Sequence, residues 1–338
     1  MPKRISEAYK ELYHYTTSVG LEGILRTQQL WATHIGYMND AEEHVGFFIR
    51  RMPRLLEKPA KEAVAELLQT QRGRSAIESV GGQEKAIEDL RRNLSESARE
   101  TTVKMNEPYV VSFCSEVGHA HITPNDGLLS QWRGYGVDGG YAIVFAADKI
   151  EQMWLAEGKA FQYQFGSIGD VDYDYPDGVE KPAHEERVTW EAAVQEAFRK
   201  FILTQDPTVF DNVHEPMSSL ASRYKHHGFS EEAEVRIVAM PVADEVYEIE
   251  EKLRTQRGLG PSVPRKPVEF VQRRGLLVPY IELFGGAING PEGKLPIVRI
   301  IVGPHPDREK RAASVRSMLK QYGCSGDVVV SDIPYLGR

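Results

Sequence analysis

The stretch Tyr13-His14-Tyr15-Thr16-Thr17 places an imidazole between two phenols, where a short apolar run meets a helix start. A histidine in such a place can donate, accept or carry a proton near neutral pH. Its commoner role is a buried ring with one backbone partner, and the stretch alone favours that role. Two further segments combine polar and aromatic groups beside expected strands. Gln131-Trp132-Arg133-Gly134-Tyr135 is followed by Tyr141 entering a strand, and Glu231, Glu232 and Glu234 lead into the apolar run from Val235. Alternation along that run puts Glu234 and Arg236 on the face away from Val235 and Ile237. A carboxylate at the open mouth of a strand suits catalysis, and it is equally an ordinary edge charge facing solvent. Asn39, Asp40 and Glu43, ahead of an apolar helix, read either as site residues or as a cap with an acidic first turn.

Metal chemistry has weaker support. His119 and His121 form an H-x-H pair with Asp126 nearby, but no third ligand stands at a recognisable spacing, so no metal is expected. His226-His227 reads as surface. Cys114 and Cys324 carry no nucleophile signature. Gly134, Gly136, Gly139 and Gly140 precede a strand and read as hairpin residues, and the phosphate-cradling glycine patterns are absent.

The elements that must position these residues are short strands with helices between them. Strands are expected at 109–115, 140–146, 161–168, 234–241, 275–284, 297–304 and 327–332. Helices are expected after Thr17 or Ser18, over 60–71 and 83–104, within 185–230, and over 307–322 with a stop at Gly323. Pro53 and Pro59 should interrupt the helix that begins near Asn39. This order suggests an α+β protein rather than a doubly wound sheet. The 185–230 block lacks Pro/Gly/Ser linkers on both sides, so it reads as a helical insertion in a single domain spanning 1–338.

The chain of 338 residues is 41% apolar and 27% charged, with a net charge of −8 that argues against generic polyanion binding. One stretch runs the other way: Lys252, Arg254, Arg257, Arg265, Lys266, Arg273 and Arg274 face only Glu269 between Lys252 and Arg274. It is either a solvated loop or a local footprint for nucleic acid. No apolar stretch approaches the ~18 residues of a membrane span. The first residues lack an apolar signal core, so a cytoplasmic address is expected by default.

The segments "LYHYTT…LEGIL…LW", "NDAEE", "VVSFCSE", "LLSQWRGYG…GGYAIVF", "EEAEVRIV" and "IVRIIVGP…VVVSDIPY" together resemble the bacterial family called domain of unknown function 2971. Asn39-Asp40-Ala41-Glu42-Glu43 matches its N-D-x-x-E element, with alanine where proline is usual. The H-x-T of the first strand, the central aromatics and the glutamate opening a late strand are also similar to ADP-ribosyltransferases. The closest pattern is the DNA-modifying branch and the tRNA 2′-phosphotransferases. That resemblance implies a pair of small mixed sheets enclosing an NAD+ cleft, with helical insertions. It implies that His14, Tyr15 and Thr16 hold the ribose or the nicotinamide amide. Trp132 and Tyr135 or Tyr141 would line or stack on the nicotinamide, and Arg133 would meet the pyrophosphate. Glu234 would accept from the ribose 2′-OH and deprotonate an acceptor. NAD+ already carries a cationic leaving group, and breaking its glycosidic bond passes through an oxocarbenium-like ribose. The expected activity is NAD+-dependent ADP-ribosyl transfer or NAD+ hydrolysis, with an unidentified acceptor, in a bacterial defence or toxin setting. Two rivals stand beside it. One is a metal-dependent nuclease or phosphohydrolase using Asp40, Glu43, His44 and Glu234. The other is a non-catalytic nucleotide or nucleic-acid sensor using the basic stretch.

Overall fold

Apolar runs at Tyr109–Ser115 and Glu234–Pro241 form two neighbouring strands, and the rest of the main sheet assembles on them. The computed structural model describes residues 4–38, 43–105, 108–115, 125–135, 139–176, 185–273 and 275–334. Contacts divide them into two units. One takes 35–108 and 172–229; the other takes 3–34, 109–171 and 230–338.

The second unit holds the large sheet. With elements numbered in chain order, its strands are β1 (Glu11–Thr16), β2 (Leu30–His34), β3 (Tyr109–Ser115), β4 (Tyr141–Ala146), β5 (Tyr163–Asp170), β8 (Glu234–Pro241), β9 (Glu269–Arg273), β10 (Leu276–Leu283), β11 (Ile297–Val302) and β12 (Asp327–Val330). The order is β12-β11-β4-β1-β3-β2-β10-β9, while β8 lies between β3 and β5. All these pairs are antiparallel except β11 with β12.

Strand β3 is the branch point. On one edge its residues 109–114 pair with 239–234 of β8. On its other edge Cys114 and Ser115 pair with Tyr13 and Leu12 of β1, while Tyr109 and Val110 pair with His34 and Thr33 of β2. Residues 111–113 take no ladder partner on that edge, so β1 and β2 part there.

Helix α2 (Ser18–Thr27) carries the chain from β1 to β2, after the short α1 (Ile5–Ala8). Thr17 caps α2 by accepting from Gly20 N at 3.2 Å, as the sequence suggests. Leu21, Ile24 and Leu25 then pack with Leu12, Leu30, Phe113 and Ile143. Helices α8 (Ala147–Ala160) and α12 (Arg308–Tyr322) add Ile150, Trp154, Val315 and Leu319 to that core. Each such side chain contributes about 1.5–3 kcal/mol by leaving water. Helix α12 ends at Gly323 in the left-handed region, where the sequence places its stop. On the opposite face of the sheet a smaller cluster joins Tyr13, Tyr15, Cys114, Val144 and Ile301 to Leu128 and to Trp132 of α7 (Leu129–Tyr135). Helix α11 (Asp244–Gln256) also belongs to this unit.

Among the described residues, Gly134, Gly139 and Gly140 are not hairpin residues. Gly134 lies in α7, and a Cβ at Gly139 would stand 2.6 Å from the Pro304 carbonyl oxygen. Close passage of the chain after β11, held by Gly303 N donating to Gly140 O at 3.1 Å, is what requires glycine there.

The first unit is mostly helical. A π-helical turn at Phe47–Arg51 leads into α3 (Met52–Leu55), α4 (Glu57–Leu67), α5 (Gln71–Ser79) and α6 (Gln83–Met105); α9 (Glu185–Thr204) and α10 (His214–Ser222) follow later. Pro53 and Pro59 sit in the first turns of α3 and α4, where a missing N–H costs little. The short parallel pair β6 (Asp172–Asp174) and β7 (Tyr224–His226), unforeseen in the sequence, completes the unit. The contacts group 172–229 with 35–108. Val194, Phe198 and Leu220 find their apolar partners in Phe47, Phe48 and Met52. Among the described residues, no helix is long and apolar enough to cross a membrane.

Candidate functional site

Ser112 is the only residue of β3 that is not buried, and it sits where the ladder is interrupted. Its Oγ is shielded from solvent and has no hydrogen-bond partner in the structure. Beside it, the half-buried His14 leaves β1 and its Nδ1 donates to the Ser112 carbonyl at 3.0 Å. A carbonyl only accepts, so Nδ1 carries the proton and the neutral ring presents its Nε2 lone pair. Burial holds the His14 pKa below the usual histidine value; the Ser112 carbonyl opposes this, and the Arg273 charge adds to it. Arg273 is the last residue of β9. Its guanidinium donates weakly to Thr33 Oγ1 at 3.5 Å and has no carboxylate partner among the described residues.

Directly opposed residues of an antiparallel pair share a face. Tyr13, Cys114 and Glu234 lie in one row across β1, β3 and β8, and Ser112 lies opposite Arg236. Thr33 opposes Val110 and Tyr280, and Tyr280 shares its parity with Leu276, the partner of Arg273. Glu234, Arg236, Ser112, Thr33 and Arg273 therefore project from one face. His14 leaves on the other face, where its ring meets Phe113 edge-on at 5.9 Å. It stands beside the interruption in the ladder, but it does not share a face with Glu234.

Glu234 is not an exposed edge charge. Strand β8 is flanked by both β3 and β5, so all of it is buried, and Glu234 is 3% exposed. Its Oε1 receives Arg236 Nε and Nη2, each at 2.8 Å, and Arg236 is fully buried. Glu232 precedes β8 in a 3-10 turn.

Several other candidates hold the fold. Tyr15 OH accepts from Leu128 N at 2.8 Å, and its ring packs edge-on to Trp132 at 4.8 Å. Trp132 is 1% exposed and donates through Nε1 to Asp126 O at 2.9 Å. These two rings fix the segment leading into α7 and leave no face for a nicotinamide. Tyr141 lies in the main core under Arg311, whose Nε donates to its hydroxyl at 3.1 Å. The Thr16 hydroxyl fills the space that a Cβ at Gly20 would need. Arg133 is exposed and Tyr135 half-buried on α7.

Asn39, Asp40, His119, His121, Gly136 and Arg274 lie outside the described residues. Glu43 belongs to the first unit, where its Oε1 meets Lys225 Nζ at 3.3 Å with both side chains buried. His227 is half-buried, and its Nδ1 donates to Asp174 O at 3.0 Å, so the histidine pair is more than surface. The basic stretch is dispersed. Lys266 is buried against Glu157 at 2.9 Å and over the Phe161 ring, Arg265 pairs with Asp244, and Arg254 donates to Gly260 O at 2.9 Å. Lys252 and Arg257 remain exposed. Among the described residues no group of three or more His, Cys, Asp or Glu side chains is placed to hold a metal ion.

Ser112, Thr33 and Arg236 were not among the sequence candidates. The serine inside the apolar run "YVVSFCS" was a visible anomaly, but only the sheet order shows that it faces an interrupted ladder. Arg236 was visible as the alternation partner of Glu234, though not as its ion-pair partner.

The fold and this site define a mixed α/β protein with a polar cluster at a break in its sheet. Residues 131–237 match the model of a family described as "Protein of unknown function (DUF2971)". Over that segment the family resemblance carried by the motifs is borne out. No curated protein and no solved structure matches the chain.

Proposed function

We propose that the chain binds NAD+ where β1 and β2 part along β3, and breaks its nicotinamide–ribose bond by transfer to an unidentified acceptor or to water. In this reading the strands on either side of the break correspond to the two sheets of an ADP-ribosyltransferase-like cleft. The observation that carries it is the interrupted ladder, which collects an unpartnered Ser112 hydroxyl, a neutral His14 and an Arg273 without a carboxylate.

The division of labour follows from chemistry. The His14 Nε2 lone pair accepts an N–H or O–H from the nicotinamide amide or the ribose. Arg273 replaces Arg133 as the pyrophosphate ligand, because its planar fork suits phosphate oxygens. Glu234 lies on the face of Ser112, away from His14, and its Oε1 is held by Arg236, so the ribose contact falls to His14 and not to Glu234. Incubation with NAD+ labelled in the adenylate, in the presence of lysate fractions, tests the reading. Nicotinamide release with label passing to one fraction is expected; no release with protein, nucleic acid or water as acceptor overturns it.

One observation favours a second reading, nucleotide binding without turnover. Arg236 neutralises the Glu234 carboxylate in place, which weakens the field it offers an oxocarbenium ion. Saturable NAD+ binding with no nicotinamide released would select that reading.

A further inference from the structure

Helix α11 buries none of its residues. Val246, Ile249 and Leu253 recur at i, i+3 and i+7 and are 56, 57 and 45% exposed. They form an apolar seam on the outer side of the helix. Polar side chains off the seam hold α11 to its unit. Glu250 accepts from Gln162 Nε2 at 2.7 Å, Glu251 accepts from Ser262 N at 2.8 Å, and Arg254 donates to Gly260 O. Leu259 and Val263, just beyond the helix, are also exposed. A single exposed leucine is ordinary. Three apolar residues at seam spacing, on a helix with nothing buried, form a face that lacks its partner.

Charge decides which partner fits. Asp244, Glu245, Glu248, Glu250 and Glu251 occupy the first part of the helix without a single cation, and Lys252, Arg254 and Arg257 follow without an acid. A second copy of α11 laid antiparallel sets acidic half against basic half at both ends and opposes the two macrodipoles. A parallel copy sets like against like. The antiparallel pair is also the isologous, two-fold arrangement that closes on itself.

We propose that α11 is a self-association surface. Two copies of this chain pair through antiparallel α11 helices, with Val246, Ile249 and Leu253 as the seam and the Glu245 end of each against the Lys252 end of the other. A seam of three side chains falls well short of the ~1,200 Å² of a stable specific interface, so the dimer is weak and concentration-dependent.

Sedimentation velocity on the full chain over a wide concentration range reads this directly. The parent should pass from monomer to dimer as concentration rises. Ile249→Asp should stay monomeric at the highest concentration with an unchanged melting temperature, since the side chain it replaces is exposed. Lys252→Glu and Glu245→Lys should each stay monomeric alone, and their equimolar mixture should dimerise. A parent that is monomeric throughout overturns the proposal, as would a surface meant for a different protein. So does self-association of either charge reversal to the level of the parent, or a mixture no better than its components.

Discussion

Glu234 shows how far a residue's surroundings can escape a reading of its local sequence. The alternation with Arg236 was plain in the sequence, but nothing local says that strands flank it on both sides. Burial changes what a substitution does. Glu234→Gln removes the carboxylate that Arg236 meets at 2.8 Å, and breaking a buried pair costs about 3–5 kcal/mol. Chemical denaturation should therefore show a markedly destabilised single variant. Glu234→Leu combined with Arg236→Met should recover most of the loss, because the pair is removed together. A single variant as stable as the parent would mean that the pair carries no such weight. His14 makes a second prediction at this scale. Its folded pKa is depressed, chiefly by burial, so the stability it contributes is present above the unfolded value of about 6.5 and is lost as pH falls below it. The parent should lose stability relative to His14→Asn between neutral and mildly acidic pH. A difference that stays flat across that range would contradict a neutral ring at His14.

Elements explain where the aromatic candidates pack. Tyr15, Trp132 and Tyr141 were conspicuous in the sequence because they are large and clustered, and large clustered rings are what a core needs. Their partners, Leu128 N, Asp126 O and Arg311, lie far along the chain for two of the three. Tyr15→Phe should cost about 1–3 kcal/mol by leaving the buried Leu128 N–H without an acceptor, and should leave NAD+ turnover per folded molecule near the parent value. A large loss of turnover at unchanged stability would return Tyr15 to the cofactor. Strand positions, the α2 cap and the α12 stop were legible because caps and periodicity are local. The break along β3 was not. It depends on β1 and β2 sharing one edge of a strand some 75 to 100 residues further on, as the pairings Tyr13 with Cys114 and Thr33 with Val110 show.

At the scale of the molecule, the chain passes between its two units at 34–35, 108–109, 171–172 and 229–230. Composition changes little at those points, so no linker signal marks them. The helices of 185–222 cannot bury Val194, Phe198 and Leu220 without Phe47, Phe48 and Met52. A peptide covering 172–229 alone should therefore be largely unfolded by circular dichroism, and a cooperative melt of that peptide would show that it is a domain in its own right. The central claim is that the break beside Ser112 takes NAD+. Calorimetric titration of NAD+ into the parent, Arg273→Ala and Arg257→Ala tests it most directly, because both substitutions remove one arginine from the same basic stretch. Saturable binding is expected of the parent and of Arg257→Ala. Arg273→Ala should bind about tenfold or more weakly, the scale of one lost charge-assisted hydrogen bond to phosphate. No heat of binding with the parent, or equal affinity in Arg273→Ala, would contradict it.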